Sequence, residues 1–396
     1  MSHPAFANAN LLRLALVYFL YFGQLGIMTP YLGVFLDGRG FNSVDIGKLI
    51  ALITLTRIFG PNLWAAMADK TGQLLAILRI GSGLSVLAFL LLFGFDTFWG
   101  IALSLGLVMM FWTAVLPQLE VITLNSVSSD SGKYSKIRLW GSVGYIVCAV
   151  VLGKTLDIFS SESVIWASIL VLSALTVATL FIQQPPYQSQ QDVPGNIWHK
   201  LASPIFISFI VSAILLQVSF GPFYGFFALY MLDLGYSGQQ TGWLIALGVM
   251  AEVLLFLVAG RLIARFGVKR ILFICLLIAT LRWGLLATYA ANFAVLVLVQ
   301  IMHAATFGLA HAASMQFLHR YFGLKYQSRG QAIYVSIAFG GGGALGNYVA
   351  GYLWQQGEGA FETFMFASAA AALASVVVLL MSGKEFESAK DVTAHE

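Results

Sequence analysis

The chain has 396 residues, 59% of them apolar and only 10% charged, with a formal net charge of +4. Together with a mean hydropathy of +0.85, this excludes a soluble globular protein, which needs far more charge to cover its surface. The two cysteines, Cys148 and Cys275, lie inside apolar runs and read as small buried hydrophobes, with no disulfide or metal framework.

Runs of about 20 apolar residues, enough to cross a hydrocarbon core of roughly 30 Å, recur along the whole length. The first half predicts helices over 11–36, 44–68, 73–94, 97–124, 134–156 and 162–183. The first run is too long for a signal-peptide core and has only Arg13 near its start, so it predicts a retained span. It carries Tyr18, Tyr21, Gln24 and Tyr31, an aromatic set that helix packing or an aromatic solute would explain. A polar stretch around Gln188, with Pro185, Pro186, Ser189, Gln190 and Gln191, cannot build a core and predicts a linker. The second half predicts helices over 203–232, 240–264, 269–289, 292–318, 327–354 and 360–382. The four domain-level segments are therefore 1–183, a linker 184–200, 201–383 and a charged tail 384–396. The fold class is an all-α membrane protein of twelve transmembrane helices in two pseudo-symmetric six-helix bundles.

An internal repeat supports the two bundles. G-F-N-S-V-D-I-G-K-L-I-A-L from Gly40 to Leu52 matches G-Y-S-G-Q-Q-T-G-W-L-I-A-L from Gly235 to Leu247, at an offset of 195 residues. The same offset aligns Ala65–Gly72 with Gly260–Gly267. A repeat of nearly half the length of an apolar chain points to two homologous membrane bundles. With the N-terminus inside, fifteen basic residues fall on one side and only Arg39, Lys48 and Lys154 on the other. The positive-inside rule then puts both termini and the linker in the cytoplasm. The charge surplus thus reads as topology, with no nucleic-acid partner implied.

The segment A-A-M-A-D-K-T-G-Q-L (Ala65 to Leu74) resembles the loop signature G-x-L-A-D-R-x-G-R-R of the major facilitator superfamily. G-R-L-I-A-R-F-G-V-K-R (Gly260 to Arg270) resembles it again, with Ala264 in place of the acid. The resemblance implies a cytoplasmic gating loop at Asp69, Gly72, Arg265 and Gly267, a helix-terminus charge effect. Y-S-K-I-R-L-W-G-S-V-G-Y (Tyr134 to Tyr145) is similar to the start of span five in phenylpropionate permeases and nucleoside:proton symporters, and the lactose permease has a related arginine motif. Further similarity to the phenylpropionate group runs through Phe223–Tyr230, Leu247–Val253, Arg282–Gly284, Val299–Phe307 and Gln331–Tyr334.

A charge at bilayer depth costs at least about 2.5–3.5 kcal/mol and survives mostly where it faces a cavity or a partner. Here the set is Arg57, Glu120, Arg138, Glu252, Arg282 and His303, with His311 as a weaker member. The eighteen-residue separation of Glu120 and Arg138 is that of the sugar-binding acid and arginine of the lactose permease. The resemblance implies that both contact substrate; an ion pair joining two helices is the plainer alternative. Arg57 and Glu252 are related by the repeat offset. Glu252 lies in an apolar A-E-V-L-L-F run, where desolvation favours the neutral acid, so it suits either a proton carrier or a partner that neutralises Arg138. Arg282 and His303 match an arginine and a histidine of the lactose permease coupling network. That family's lysine and proton-carrying glutamate fall on Gln300 and Thr306 here, which breaks a direct transfer of mechanism. Tyr224 joins Glu120, Arg138 and Arg57 as candidate substrate contacts, and Glu252, His303 and Arg282 are the candidate proton-coupling group. Gly340–Gly343 follows no strand and precedes no Lys-Ser/Thr, so it is no phosphate loop; it suits close helix approach.

No complete catalytic motif is present, and neither cofactor nor metal is expected. The resemblance implies a monomeric secondary transporter of a bacterial inner membrane, importing a small organic solute with protons by alternating access. Embedded arginines can pair a carboxylate, and the resemblance implies an aromatic one of the phenylpropionate type. The alternatives are proton symport of a sugar or nucleoside, a drug:proton exporter and, in a different class, a nontransporting membrane sensor.

Overall fold

The computed structural model describes residues 4–128, 130–185 and 197–381, and the central part of the linker and the tail from 384 lie outside them. The described chain is almost wholly helical. The first half forms α1 (Pro4–Gly38), α2 (Ser43–Thr71), α3 (Leu74–Leu90), α4 (Phe98–Trp112), α5 (Val115–Ser126), α6 (Ser131–Ile158) and α7 (Ser163–Leu180). The second half forms α8 (Trp198–Leu201), α9 (Pro204–Asp233), α10 (Gly238–Phe266), α11 (Val268–Tyr289), α12 (Phe293–Ile301), α13 (Ala310–Tyr334), α14 (Gly343–Trp354) and α15 (Ala360–Leu379). Two π-helical stretches, Ala304–Leu309 and Val335–Gly342, join α12 to α13 and α13 to α14.

Eleven helical runs among the described residues are long and apolar enough to cross a membrane, each within a few residues of an expected span. The remaining expected span, 327–354, is helical too, but not one uniform helix. It is built from the end of α13, the π-helical Val335–Gly342 and the short α14. Three of its four consecutive glycines lie in the π stretch, where weak helix propensity lets the hydrogen-bond register change. Large apolar side chains on the outside, such as Trp99, Trp166, Leu170 and Leu257, are what a lipid-facing surface requires.

The repeat is visible in the backbone. Gly40 and Gly235 both have φ +83°, and Gly72 and Gly267 have φ +68° and +79°. Gly40 N–H donates to the Asp37 carbonyl and Gly235 N–H to that of Leu232; Phe41 N–H donates to Leu36 and Tyr236 N–H to Met231. Each bond is its counterpart shifted by the repeat offset. Only glycine adopts this left-handed conformation without strain, so both helix-ending turns are written into the sequence twice.

By contact the chain forms two compact units, residues 1–191 with 224–246 and residues 192–223 with 247–396. In the first, α1 runs against α6 at backbone contact. A Cβ on Gly26 would lie 2.4 Å from the Tyr145 carbonyl oxygen, and one on Gly144 2.0 Å from that of Phe19. Small residues at such crossings replace the hydrophobic drive that lipid cannot supply. At one end of the bundle, Arg39 forms a two-pronged bond to the Glu162 carboxylate and a 2.6 Å bond to Asp96, tying three loops together. The Glu162 bond holds the Arg39 guanidinium above its ordinary pKa. At the other end, Arg13 donates to the Phe181 carbonyl at 2.9 Å and Arg79 to those of Thr179 and Leu180, placing cations on the last carbonyls of α7. Asp130 caps α6 by accepting from Gly132 and Lys133 N–H, the latter bond being the main reason its carboxyl lies below its usual range. In the second unit Lys269 plays the part of Arg79, donating to the Leu379 carbonyl at 2.8 Å and to that of Met381 at the end of α15. Its core is aromatic, with Phe209 and Phe317 at 4.1 Å between ring centres and Phe206, Tyr321 and Phe322 around them.

Candidate functional site

The first unit gathers a polar cluster from five helices. On α1, Tyr18 and Tyr21 lie one turn apart and are buried. Tyr21 interacts electrostatically with Arg57 of α2, Glu120 of α5 and Arg138 of α6. Its ring stacks on Trp112 at 4.7 Å, with planes 19° apart. Arg57 interacts with Tyr21 and with Tyr224 of α9. Arg138 holds its guanidinium 3.9 Å from the centre of the Phe22 ring and 5.7 Å from that of Tyr18, an arrangement that suits a planar delocalised cation. Glu120 interacts with Arg138 and with the Tyr134 hydroxyl. Glu120 and Arg138 do not close an ion-pair contact among the described residues. Of the four candidate substrate contacts, Glu120, Arg138 and Arg57 thus group around Tyr21, and Tyr224 joins them through Arg57. All four are partly exposed, while Tyr21 behind them is buried.

The second unit gathers Glu252, His303 and Arg282. Glu252 Oε2 lies 3.7 Å from His303 Nε2. His303 stands immediately before the π-helical Ala304–Leu309, and its ring lies parallel to Phe307, 5.3 Å between centres. Space for the Glu252 side chain depends on Gly308, where a Cβ would approach Glu252 Cγ to 2.6 Å. The π turn and this glycine together seat the carboxyl beside the imidazole. Arg282 is fully buried. It donates through Nε to the Val299 carbonyl at 2.8 Å and through Nη1 to Thr306 Oγ1 at 3.1 Å, and its guanidinium lies 4.2 Å from the Trp283 ring centre. Thr306 in turn donates to the His303 carbonyl at 3.3 Å. Thr306 therefore links the arginine to the backbone of the histidine. His311 lies further along α13, among Phe307, Tyr334 and Phe339.

The residues of the expected gating loop sit at corresponding helix ends, whose glycines share a positive φ but differ in ψ, 4° at Gly72 and 156° at Gly267. Gly72 ends α2 and Gly267 opens α11, both with positive φ. Gln184 spans the first turn, accepting from Leu75 N–H at 2.9 Å and donating to the Gly72 carbonyl. Asp69 and Arg265 are exposed. Arg265 lies 5.3 Å from the Phe266 ring centre.

Sequence reasoning passed over three members of these clusters. Tyr134 stands one helical turn before Arg138, a spacing that could have flagged it. Trp112 and Gly308 carried no signal, because a tryptophan and a glycine in an apolar span are ordinary.

A family model described as the MFS_1 like family matches residues 11–366. The chain belongs to this family. As a family member it is a multi-pass membrane transporter of a small solute, and not an enzyme. Among its relatives is a probable 3-phenylpropionic acid transporter of Escherichia coli strain K12. It is 31% identical over 358 residues, covering 88% of this chain and 92% of the relative. A maltose permease of Geobacillus stearothermophilus is 28% identical, covering 93% and 94%. Among solved structures, a mutant of the nucleoside transporter NupG aligns with a TM-score of 0.84 at 17% identity, covering 94% of this chain and 99% of that one. A bacterial homologue of the lysosomal transporter Spinster aligns at 0.73 and 16%. At these identities the structures establish the major facilitator fold alone.

Proposed function

We propose that this transporter imports a small aromatic carboxylate of the phenylpropionate type in symport with protons. The observation that carries the reading is the grouping of Arg57, Arg138, Tyr21 and Tyr224 in one unit, two cations among aromatic rings. A guanidinium pairs a carboxylate through two parallel hydrogen bonds, and a ring packs against tyrosine. The similarity to a probable 3-phenylpropionic acid transporter supports the same substrate class.

The proton carrier in this reading is Glu252, with His303 beside it as relay. A carboxyl in apolar surroundings takes up a proton readily, and an imidazole within a few ångströms changes the cost of holding it. Arg282, tied to Val299 and Thr306, holds positive charge fixed next to the pair. Asp69, Gly72, Arg265 and Gly267 serve the cytoplasmic gate. The protein works as a monomer in the bacterial inner membrane with both termini in the cytoplasm, the side favoured by the basic-residue asymmetry.

A second reading, symport of a neutral sugar or nucleoside, is favoured by Glu120 beside Arg138 and by the similarity to a maltose permease. Uptake into proteoliposomes separates the two. Labelled 3-phenylpropionate, maltose and uridine are offered with and without an inward proton gradient. Gradient-dependent accumulation of the acid alone is expected; accumulation of maltose or uridine alone would replace the first reading by the second.

A further inference from the structure

We propose that Gln24 reads a neutral hydroxyl group on the transported solute, so that a hydroxylated aromatic acid is preferred over the unsubstituted one. The inference rests on the aromatic-carboxylate reading for the rest of the solute, whereas the buried amide of Gln24 stands independently of it.

Gln24 lies mid-span on α1 and is only 1% exposed, yet among the described residues neither its Oε1 nor its Nε2 has a hydrogen-bond partner. A buried amide in this state is expensive, because it has given up its bonds to water and gained none in return. That cost is offset when a ligand bearing a donor and an acceptor binds beside the amide. The helix register says where the amide stands. Gly23 and Gly26 are spent on the contact with α6, against Cys148 Sγ and the Tyr145 carbonyl. At roughly 100° per residue, Gln24 points about 100° away from the first and 160° from the second. It shares a face with Tyr21, one turn back, the residue around which Arg57, Glu120 and Arg138 are grouped.

A second orphan stands on the same tyrosine. Trp112, whose ring stacks on Tyr21, is 4% exposed and has no acceptor for its Nε1–H among the described residues. The two groups together offer an acceptor (the amide oxygen) and two kinds of donor (the amide and indole N–H). A carboxylate, which only accepts, would leave Gln24 Oε1 unmet and is better served by the arginines. A hydroxyl donates to Oε1 and accepts from N–H at once, and so satisfies both. Phenylpropionate itself has nothing at the ring end to fill this role, whereas its hydroxyphenyl analogues do.

The test uses the full-length protein in detergent and in proteoliposomes, as wild type and as the near-isosteric Gln24→Met and Gln24→Leu variants. Binding is measured for 3-phenylpropionate and for its 2-, 3- and 4-hydroxyphenyl analogues, with maltose and uridine as neutral hydroxyl-bearing solutes. Wild type is expected to bind one hydroxyphenyl acid about tenfold or more tightly than the unsubstituted acid, and both variants to remove most of that preference. Removing an unpaired amide should also raise the melting temperature of the ligand-free protein. If wild type binds neither kind of acid but binds maltose or uridine, the aromatic-carboxylate reading fails; weakening of that neutral solute by the variants then keeps Gln24 as the hydroxyl reader. A melting temperature that is unchanged or lower in both variants means that Gln24 has a structural partner, and overturns the inference whatever the ligand. Equal loss of hydroxylated and unsubstituted acids overturns it as well.

Discussion

Arg138 shows how a single side chain divides a functional from a structural role. Its guanidinium is stacked on Phe22 and held near Glu120 without an ion-pair contact. It is therefore fixed in orientation while its hydrogen-bonding edge is not taken up by that acid. Arg138→Lys keeps the charge but loses both the planar stack and the two-pronged edge. Direct binding to the purified variant should be weaker by roughly tenfold or more, about 1.4 kcal/mol, the scale of a charge-assisted hydrogen bond. Wild-type affinity in Arg138→Lys would leave Arg138 as a helix-packing residue only. Gly308 makes a complementary case on the proton side. A methyl group there meets Glu252 Cγ, whereas at Gly260 on α10 it meets nothing within 4 Å. Gly308→Ala should cost about 1–3 kcal/mol of stability by overpacking. Gly260→Ala should be neutral, or stabilising by up to about 1 kcal/mol through helix propensity. Thermal melts of the two purified variants check this directly, and equal melting temperatures would mean that the carboxyl has room to move.

Among the elements, α10 is capped twice, locally where Ser237 Oγ accepts from Gln240 N–H at 3.1 Å and Gln240 Oε1 from Ser237 N–H at 2.9 Å, and again by a distant residue. Asp157, at the end of α6, accepts from the N–H groups of Gly238 (2.5 Å) and Gln239 (2.9 Å), both in the first turn of α10. The close approach behind it is glycine against glycine, since a Cβ on Gly153 would lie 2.1 Å from the Gly238 carbonyl oxygen. Tyr31 completes the contact by donating to the Ala149 carbonyl at 2.9 Å. Asp157→Ala should cost about 0.5–2 kcal/mol, as the loss of an N-cap does. Hydrogen exchange at Gly238 and Gln239 should rise, with exchange in the first turn of α2 unchanged because its own cap, Asn42, is local. Unchanged exchange at both positions would show that the cap contributes nothing. The contrast between the local caps, Asn42 on α2 and Ser237 on α10, and the distant Asp157 explains what the sequence could disclose. The helices, their limits and the repeated glycine turns were legible because each depends on residues within a few positions of one another. The grouping of Glu120, Arg138 and Arg57 was legible in part, through the rarity of charge in apolar spans. The Asp157 cap, the Trp112 stack and the seat that Gly308 makes for Glu252 were not, because each joins residues far apart in sequence and ordinary in type. The uneven span at 327–354 was hidden for another reason, since hydropathy does not report a change of helical register.

At the scale of the whole molecule, the lopsided distribution of arginine and lysine makes orientation the first property to test. Thr71 and Asp96 are both exposed, and α3 runs between them. Single cysteines at these positions, in a background without Cys148 and Cys275, should label from opposite faces, Asp96→Cys from outside intact cells and Thr71→Cys only after permeabilisation. Labelling of both from outside would reverse or break the proposed topology.

In the proposed proton symport, orientation sets the direction of the proton, and Glu252 is where its coupling to solute is tested. Two contacts within one unit single it out: the carboxyl lies 3.7 Å from His303, and it occupies space that a side chain at Gly308 would fill. Glu252→Gln imitates the protonated side chain and fixes it in that state. Net uptake requires the carrier to return with the proton released, a step the glutamine form cannot take. Exchange of external for internal solute needs no such release. Gradient-driven accumulation in proteoliposomes should therefore fall to the level seen without a gradient, while exchange of labelled for unlabelled solute persists at a rate close to wild type. Loss of both would indicate a damaged binding site or fold, which the binding assay used for Arg138 would register as lost affinity. A Glu252→Gln protein that still accumulates solute against its gradient would show that the proton travels by another group or that none is carried.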